Sequence, residues 1–293
     1  MKQSQVIPTI NNNNKGSLPE MMKLNKFELS IGNLKKLHWK GRICMQYIST
    51  YQGRMPESSN GCTVIAPLLA VQHFFFSNNN NNNNDNHNNM MELSNAIIEE
   101  VIDIQAPIVL PEVRNMLGLP KDALIVPSDA HDYFLENGLL TQENFLGVCG
   151  GNILNPMHLD SLIQLLDTTN TSTCRGRATK LAATFYFHEH FIAMLCYPDH
   201  NDNHNDNALL GYYEVIGSLP HHNDVINEEC SITPTNALRI KCYDKEALNI
   251  TLLWYSIRKF TDDNMDYVQM YEWNEMDTDL DPRVFQAFVW ISL

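Results

Sequence analysis

A short polar segment that ends in a cysteine and leads straight into an apolar run constrains this chain most. The segment begins at Ser58, and the apolar run starts immediately after Cys62. Asn60 can cap a helix, and Gly61 permits the tight turn into it. The pattern therefore predicts a helix that begins at Cys62 and ends near Ser77.

Cys62, in the first turn of that helix, has two interpretations. Unpaired backbone N–H groups at a helix start favour a thiolate over a thiol. The same groups can hold the oxyanion of a tetrahedral intermediate. These properties suit a nucleophile, but a cysteine beside an apolar helix is more often an ordinary core residue. A matching base elsewhere in the chain decides between the two interpretations.

Composition limits the classes of function. The chain has 293 residues and a formal net charge of −14, which argues against nucleic-acid binding. Its seven cysteines are scattered without a CxxC pair, so they form neither a zinc framework nor a disulfide scaffold. With no apolar run of membrane-spanning length, we expect a soluble cytoplasmic or nuclear protein without a membrane partner. No cofactor is implied.

Asparagine-rich tracts divide the chain. Residues 1–26 contain one such run and little periodicity, which predicts a disordered arm. Two further tracts, 78–89 and 200–207, are too polar to fold into a core. We therefore predict one domain over 27–293 that carries these tracts as inserted loops.

The hydrophobic periodicity predicts helices mainly in the first half of the chain and strands mainly in the second, which indicates an α+β fold. Residues 181–197 are rich in β-formers and predict either two strands or one long bent strand. Predicted helices span 91–104, 111–117, 130–136, 156–167 and 245–259, and further strands span 43–51, 211–216, 237–242 and 284–291.

Two of the eleven histidines have a distinctive setting. His188 and His190 lie between two apolar strand segments, and strand alternation predicts that they share one face, with Glu189 on the other. A histidine that opens an apolar strand can project toward a facing helix start. The simpler interpretation is a pair of structural or surface histidines. Two histidines also fall short of a metal site, and the sequence nominates no clear third ligand.

Three features of the chain resemble those of the papain-like cysteine peptidases. They are the Asn-Gly-Cys helix start at Cys62, the aromatic run 185–191, and an adjacent strand of the form Tyr-Glu-Val-Ile-x-Ser-Leu-Pro. Within that group the similarity is greatest to the MINDY deubiquitinases. The resemblance implies a cysteine-bearing helix packed against an antiparallel sheet, with Cys62 as nucleophile and His190 as general base.

One position departs from the family pattern. Papain-like enzymes present an Asn or Asp on the strand after the histidine strand, and Gly217 stands at that place here. Ser218 could substitute for it, and Glu214 or Asp224 could approach from nearby. The glutamine often found shortly before the cysteine is also missing, so Asn60 or backbone donors would have to hold the oxyanion.

The sequence therefore predicts a cysteine-dependent hydrolase, a peptidase or isopeptidase that acts on a protein or peptide such as ubiquitin. In that case Cys62 should be the most readily alkylated cysteine, because the helix start and a neighbouring imidazole would both lower its pKa. The first alternative is a catalytically inactive papain-like protein-binding module. The second is an unrelated scaffold in which the motif arose by chance.

Overall fold

A computed structural model describes residues 32–75, 92–171, 180–197, 211–221, 236–275 and 281–292. The arm 1–26 and the tracts 78–89 and 200–207 lie outside these residues. The division into an arm and one domain therefore stays a prediction. Within the described ranges, no helix is both long enough and apolar enough to cross a membrane.

A seven-stranded sheet organises the described residues, with every neighbouring pair of strands antiparallel. The strand order across the sheet is β1-β6-β5-β4-β3-β7-β2. Helices pack against this antiparallel sheet, which confirms the predicted α+β class. The strands are β1 (Ile43–Ile48), β2 (Phe145–Asn152), β3 (Leu181–Phe187), β4 (His190–Tyr197), β5 (Tyr212–His221), β6 (Asn236–Cys242) and β7 (Val284–Ile291).

Helices cover both faces of the sheet, and each face has its own apolar cluster. The first cluster joins one face to α2, α4 and α5. The second joins the opposite face to α1, α6 and α7. The helices are α1 (32–39), α2 (Cys62–Phe75), α3 (Asn95–Glu100), α4 (Ala106–Leu117), α5 (Pro127–Glu136), α6 (Pro156–Thr171), α7 (Lys245–Ile257) and α8 (Asp262–Met270), with a π-helical turn, Val101–Gln105, between α3 and α4.

Helix α2 is deeply buried between the sheet and other helices. Almost every residue from Cys62 to Phe74 is buried, because the sheet lies on one side of the helix and α4 and α5 lie on the other. The cysteine-bearing helix thus packs against the antiparallel sheet, as predicted. Its start is held at the end of β4 that carries the β3–β4 turn.

The β3–β4 connection resolves the alternative left open by the sequence, since residues 181–197 form two strands joined by a two-residue turn. His188 and Glu189 occupy that turn with φ of 46° and 62°. Positive φ at both central residues gives a turn whose twist matches that of the flanking strands. The prediction that His188 and His190 share a strand face is therefore wrong, because His188 lies in the turn.

Strand alternation assigns the residues of β4 to the two faces of the sheet. Phe191, Ala193 and Leu195 belong to the α2 cluster. Ile192 and Met194 belong to the α7 cluster. A shift of the strand register by one residue would exchange these two sets. Because both faces are apolar, the hydrophobic pattern of β4 does not by itself determine which face His190 points to.

Some elements were missed by the sequence patterns. Strand β2 was not predicted. Glycine is depleted in strands, and the glycines at 147, 150 and 151 obscure the alternating pattern of β2. By contrast, α7 begins where expected. The Asp244 side chain caps it by accepting a hydrogen bond from the Ala247 N–H.

Candidate active site

Cys62 is the first residue of α2, as the sequence predicted. The carbonyl oxygen of Gly61 accepts hydrogen bonds from the N–H groups of Val64 and Ile65, at 3.0 and 2.9 Å. Gly61 is required by packing, because a Cβ there would lie 2.8 Å from the Ser58 carbonyl oxygen. This close approach brings the polar segment tightly into the helix start.

Asn60 does not have the capping role predicted for it. Its backbone has a φ of 58°, in the left-handed region, and its side-chain amide donates to the carbonyl oxygen of Asp122 at 3.1 Å. The residue instead ties the helix start to the segment between α4 and α5. In this conformation its amide N–H is occupied away from Cys62, so an oxyanion role for Asn60 stays a prediction.

The Cys62 sulfur is enclosed by backbone. Cys62 is 3% exposed, and its Sγ donates to the carbonyl oxygen of Glu189 at 3.9 Å. Burial raises the pKa of the Cys62 thiol, although hydrogen bonds from the backbone N–H groups of Phe191 and Thr63 act in the opposite direction. The predicted lowering of its pKa is therefore wrong, because loss of hydration outweighs the helix start.

His190 begins β4 beside this sulfur but is oriented toward the other face of the sheet. It pairs with Phe187 across the turn, and both Phe187 and Ile192 belong to the α7 cluster. Within the described ranges, no hydrogen bond joins Cys62 to His190. The pKa of His190 is lowered to about 4, chiefly by burial and to a smaller extent by the charges of Lys259 and His188. The Cys62–His190 pair stays a prediction.

Gly217 stands opposite Ile192 on β5. A Cβ at this position would lie 2.7 Å from the phenol oxygen of Tyr255. The place where the resemblance expects an Asn or Asp is thus filled from outside the strand by an α7 side chain. An aromatic ring, rather than empty space, explains why a glycine is found there.

Ser218, the suggested substitute, is engaged elsewhere. It is buried, and its Oγ donates to Oε1 of Gln52 at 3.1 Å. The Gln52 backbone N–H in turn donates to the Ser218 carbonyl oxygen at 2.7 Å. No local pattern marks Gln52, which lies in a polar stretch without periodicity. Whether Ser218 orients an imidazole stays a prediction.

Glu214 and Asp224 were the acidic alternatives for the orienting residue. Glu214 is fully buried and accepts a hydrogen bond from the Arg239 guanidinium at 2.6 Å. That ion pair engages the Glu214 carboxylate with Arg239 in the core rather than with an imidazole. Asp224 lies outside the described residues. Over the part of the chain that the structure covers, no cluster of three His, Cys, Asp or Glu could hold a metal ion.

Two α7-side residues near the site were missed by the sequence analysis. The Lys259 ammonium lies 5.7 Å from the ring centroid of Tyr255. The pKa of Lys259 is lowered to about 8, chiefly by burial and to a smaller extent by the charge of Arg258. The predicted helix 245–259 contains both residues, but nothing local in the sequence marks a lysine at a helix end as part of a site.

Comparisons with known proteins add little to this geometry. No protein-family model matches the chain, and no curated sequence matches it. A solved structure with a similar chain path is the ubiquitin-specific protease encoded by murine cytomegalovirus, in complex with a ubiquitin-based suicide substrate. It is 10% identical and 85% of each chain is covered, with a TM-score of 0.43. A TM-score of this size does not establish a shared fold, so membership of the papain-like group, and of the MINDY deubiquitinases within it, stays a prediction.

Proposed function

We propose that this protein is a cysteine-dependent hydrolase of peptide or isopeptide bonds, with Cys62 as nucleophile and His190 as general base. The observation that carries the proposal is the position of the Cys62 sulfur. It lies at the start of α2 and contacts the backbone of the turn that leads into His190. A helix start supplies N–H groups, and the turn brings the imidazole-bearing strand to the same place.

Residues with a strained backbone lie close to the same sulfur. In the described part of the chain, the non-glycine residues with positive φ are Asn60, His188 and Glu189. One lies two residues before Cys62, and the carbonyl of another contacts its sulfur. Left-handed conformations cost about 1–3 kcal/mol each at such residues and persist where the surroundings enforce them. Strain of this kind is concentrated at functional sites.

The proposed reaction needs few groups. The Cys62 sulfur attacks the carbonyl carbon of the scissile bond as its proton passes to the His190 imidazole. The C–N bond then breaks, and the imidazolium gives that proton to the leaving amine. Water hydrolyses the resulting thioester with the imidazole as base, which releases the acid and restores the thiol. The backbone N–H groups at the start of α2, including that of Thr63, are the proposed donors to the oxyanion.

The described conformation corresponds to a closed resting site. Sγ donates to Glu189, whereas attack requires that the β3–β4 turn move so that the His190 ring reaches the sulfur. Since its pKa is about 4, His190 is neutral at pH 7 and can accept a proton. We propose that substrate binding displaces the turn. Ubiquitin conjugates are the proposed protein substrates, on the family resemblance of the Cys62 and His190 segments.

Two observations favour a second candidate, the inactive protein-binding module. The thiol is buried with a raised pKa, and Tyr255 fills the space beside Gly217. Both features would suit a relative that kept the fold and lost turnover. In that case ubiquitin would bind without being cleaved.

The test compares hydrolysis of a ubiquitin-derived fluorogenic substrate and of a plain fluorogenic peptide. The variants are Cys62→Ala and His190→Gln, with Cys44→Ala as the matched control because Cys44 is an exposed cysteine on β1. We expect activity in wild type and Cys44→Ala and its loss in the other two. Activity that survives Cys62→Ala rules out the hydrolase mechanism. Ubiquitin binding with no turnover in any variant supports the binding module instead.

A further inference from the structure

We propose that the outer edge of β2 binds an extended, basic segment of a partner protein. The segment adds a strand to the sheet and places a lysine or arginine side chain in a cavity beside Gly150. This edge lies three strands from β4 in the order of the sheet. Its role does not depend on the proposed function.

Strand β2 ends the sheet, and in the described part of the chain it pairs with β7 alone. The Ile153 N–H donates to the Arg283 carbonyl oxygen at 2.8 Å, in the register of the β2–β7 pairing. Residues that exchange such bonds alternate along an antiparallel strand. The odd-numbered residues from 147 to 153 therefore bond to β7, whereas the backbone groups of Val148 and Gly150 face outward.

Asn152 fits this alternation and closes one end of the outer edge. Its N–H donates to His158 Nδ1 at 2.9 Å, and its C=O accepts from the Asn155 N–H at 3.0 Å. Among the residues that the structure describes, no group bonds to the outward C=O groups of Val148 and Gly150 or to the Val148 N–H. These are the donors and acceptors with which an added strand pairs.

The sequence of β2 does not protect this edge. Edge strands are commonly protected by charged side chains or by proline. Residues 145–152 contain neither, and the bulge between Phe145 and Gly147 leaves a regular edge over 147–152. Leu146 is 40% exposed and Val148 is 55% exposed, so apolar side chains flank the unpaired backbone.

A cavity of about 400 Å³ lies beside the same edge. Its wall includes Gly150 and Gly151, together with His158 of α6, Trp273 and Glu275. A Cβ at Gly151 would lie 2.5 Å from His158 Nδ1, so the glycine lets α6 approach the strand. Two successive residues without side chains present the backbone of β2 to the cavity. A side chain of an added strand can enter at this point.

The groups in the cavity wall favour a cation. Trp273 supplies an aromatic ring, and the Glu275 side chain supplies a carboxylate that is 75% exposed. His158 Nε2 lies 4.0 Å from Oε1 of Glu275, which leaves the carboxylate able to accept from a second donor. The Arg283 guanidinium, 5.6 Å from the Trp273 ring centroid, is already neutralised by its ion pair with Asp281. A ring and a carboxylate together suit a lysine or arginine.

The surrounding charge also favours a basic partner. The segment 262–275 supplies Trp273 and Glu275 to the cavity and contains no lysine or arginine. It carries five carboxylates, those of Asp262, Asp263, Asp266, Glu272 and Glu275. The chain as a whole has a net charge of −14, so a second copy would meet an acidic surface with another acidic surface. A basic segment meets it with the opposite charge.

The test measures binding of a labelled peptide to the full chain by fluorescence anisotropy. The probe alternates valine and lysine over the eight residues that β2 spans, with both ends blocked. The control peptide has glutamate in place of lysine. At about 0.15 M salt, which screens distant charges, we expect the lysine peptide to bind and the glutamate peptide not to bind. Failure of the lysine peptide to bind, or equal binding of the two peptides, overturns the proposal.

Variants locate the binding site on the protein. Proline at 148 leaves the β2–β7 bonds intact, because the N–H that it removes faces outward. Val148→Pro should weaken binding about tenfold, the equivalent of one lost hydrogen bond, whereas Val148→Thr keeps the N–H and should bind as wild type does. Unchanged binding in folded Val148→Pro overturns the proposal.

The cavity is tested with a matched pair of carboxylates. Glu275→Gln should weaken binding of the lysine peptide about two- to five-fold, the size expected for an exposed ion pair. Glu272→Gln removes a neighbouring exposed carboxylate that does not line the cavity and should have little effect. Equal effects of the two substitutions would remove the cavity from the proposal and so overturn it.

Backbone pairing has a readout that needs no variant, which keeps the test decisive if Val148→Pro does not fold by circular dichroism. Two lysine peptides carry N-methyl groups on the two alternate sets of amides. An added strand presents one set to β2, so one peptide should lose binding and the other should keep it. Equal effects overturn the added strand. Sedimentation velocity without peptide tests the second copy, since a dimer that Val148→Pro dissociates would overturn the basic partner.

Discussion

The Cys62 sulfur lies 3.9 Å from the carbonyl oxygen of Glu189, and this contact joins the start of α2 to the β3–β4 turn. Both partners depend on unusual backbone, since Glu189 has a φ of 62° and Asn60, two residues before the cysteine, has a φ of 58°. The thiol is thus held as a hydrogen-bond donor in a closed pocket of backbone atoms. Exposure of the sulfur requires movement of the turn.

Replacing Glu189 by glycine should reveal how much backbone strain the β3–β4 turn holds. We expect Glu189→Gly to stabilise the fold by up to about 1 kcal/mol, because glycine adopts positive φ without the steric penalty paid by other residues. Glu143→Gly is the matched control, since Glu143 lies in a 3₁₀ turn without positive φ and glycine there should destabilise slightly. Urea unfolding of both variants measures the difference. Equal destabilisation of the two would show that the turn is unstrained.

A side chain at Gly217 should destabilise the protein rather than activate it. Gly217→Ala places a Cβ against the Tyr255 phenol, and overpacking of this kind costs about 1–3 kcal/mol. Gly217→Asp should be worse, because it also buries a carboxylate. Tyr255→Phe removes the nearest atom and should recover part of the loss in the double variant with Gly217→Ala. Thermal unfolding checks this, and a Gly217→Ala variant as stable as wild type would contradict it.

The order in which cysteines are alkylated should follow their solvent exposure rather than their proximity to the start of α2. Cys44 is exposed on β1, whereas Cys62 is buried with a raised thiol pKa. We therefore expect limiting iodoacetamide at pH 7 to modify Cys44 before Cys62, which reverses the order expected from the sequence. Peptide mapping after short exposure measures the order. Rapid modification of Cys62 in the native protein would mean that the turn opens readily.

Acid should destabilise the fold through His73. This residue of α2 is fully buried, and burial lowers its pKa to about 3, with the charge of Lys180 adding to the effect. The unfolded chain binds a proton near pH 6.5 and the folded chain does not. Stability is therefore complete above about pH 6.5 and is lost as the pH falls toward 3, by roughly 1.4 kcal/mol per unit.

The matched measurement is urea unfolding of wild type and His73→Gln between pH 7 and pH 4. Groups other than His73 titrate in both proteins, so the difference between their slopes isolates the histidine. We expect wild type to lose more stability on acidification than the variant does. Parallel slopes would show that His73 is not the source of the acid sensitivity.

The local elements could be predicted well because their signals are local. Cys62 does begin a helix, Asp244 does cap one, and the apolar run after His190 does form a strand. Each depends on residues within a few positions, where periodicity, capping and turn chemistry act. Strand β2 was hidden for the same reason. Its glycines remove the local pattern, and its pairing with β7 depends on residues that are distant in sequence.

The sequence by itself determined that a cysteine opens a buried helix and that a histidine opens a neighbouring strand. Only the tertiary structure decided that the Cys62 thiol is closed off by Glu189, that His190 faces α7, and that Tyr255 fills the space at Gly217. Helix and strand signals come from neighbours along the chain. Burial, the direction of a pKa shift and steric room are sums over atoms that are distant in sequence, so they exist only once the sheet and its two helical layers have packed.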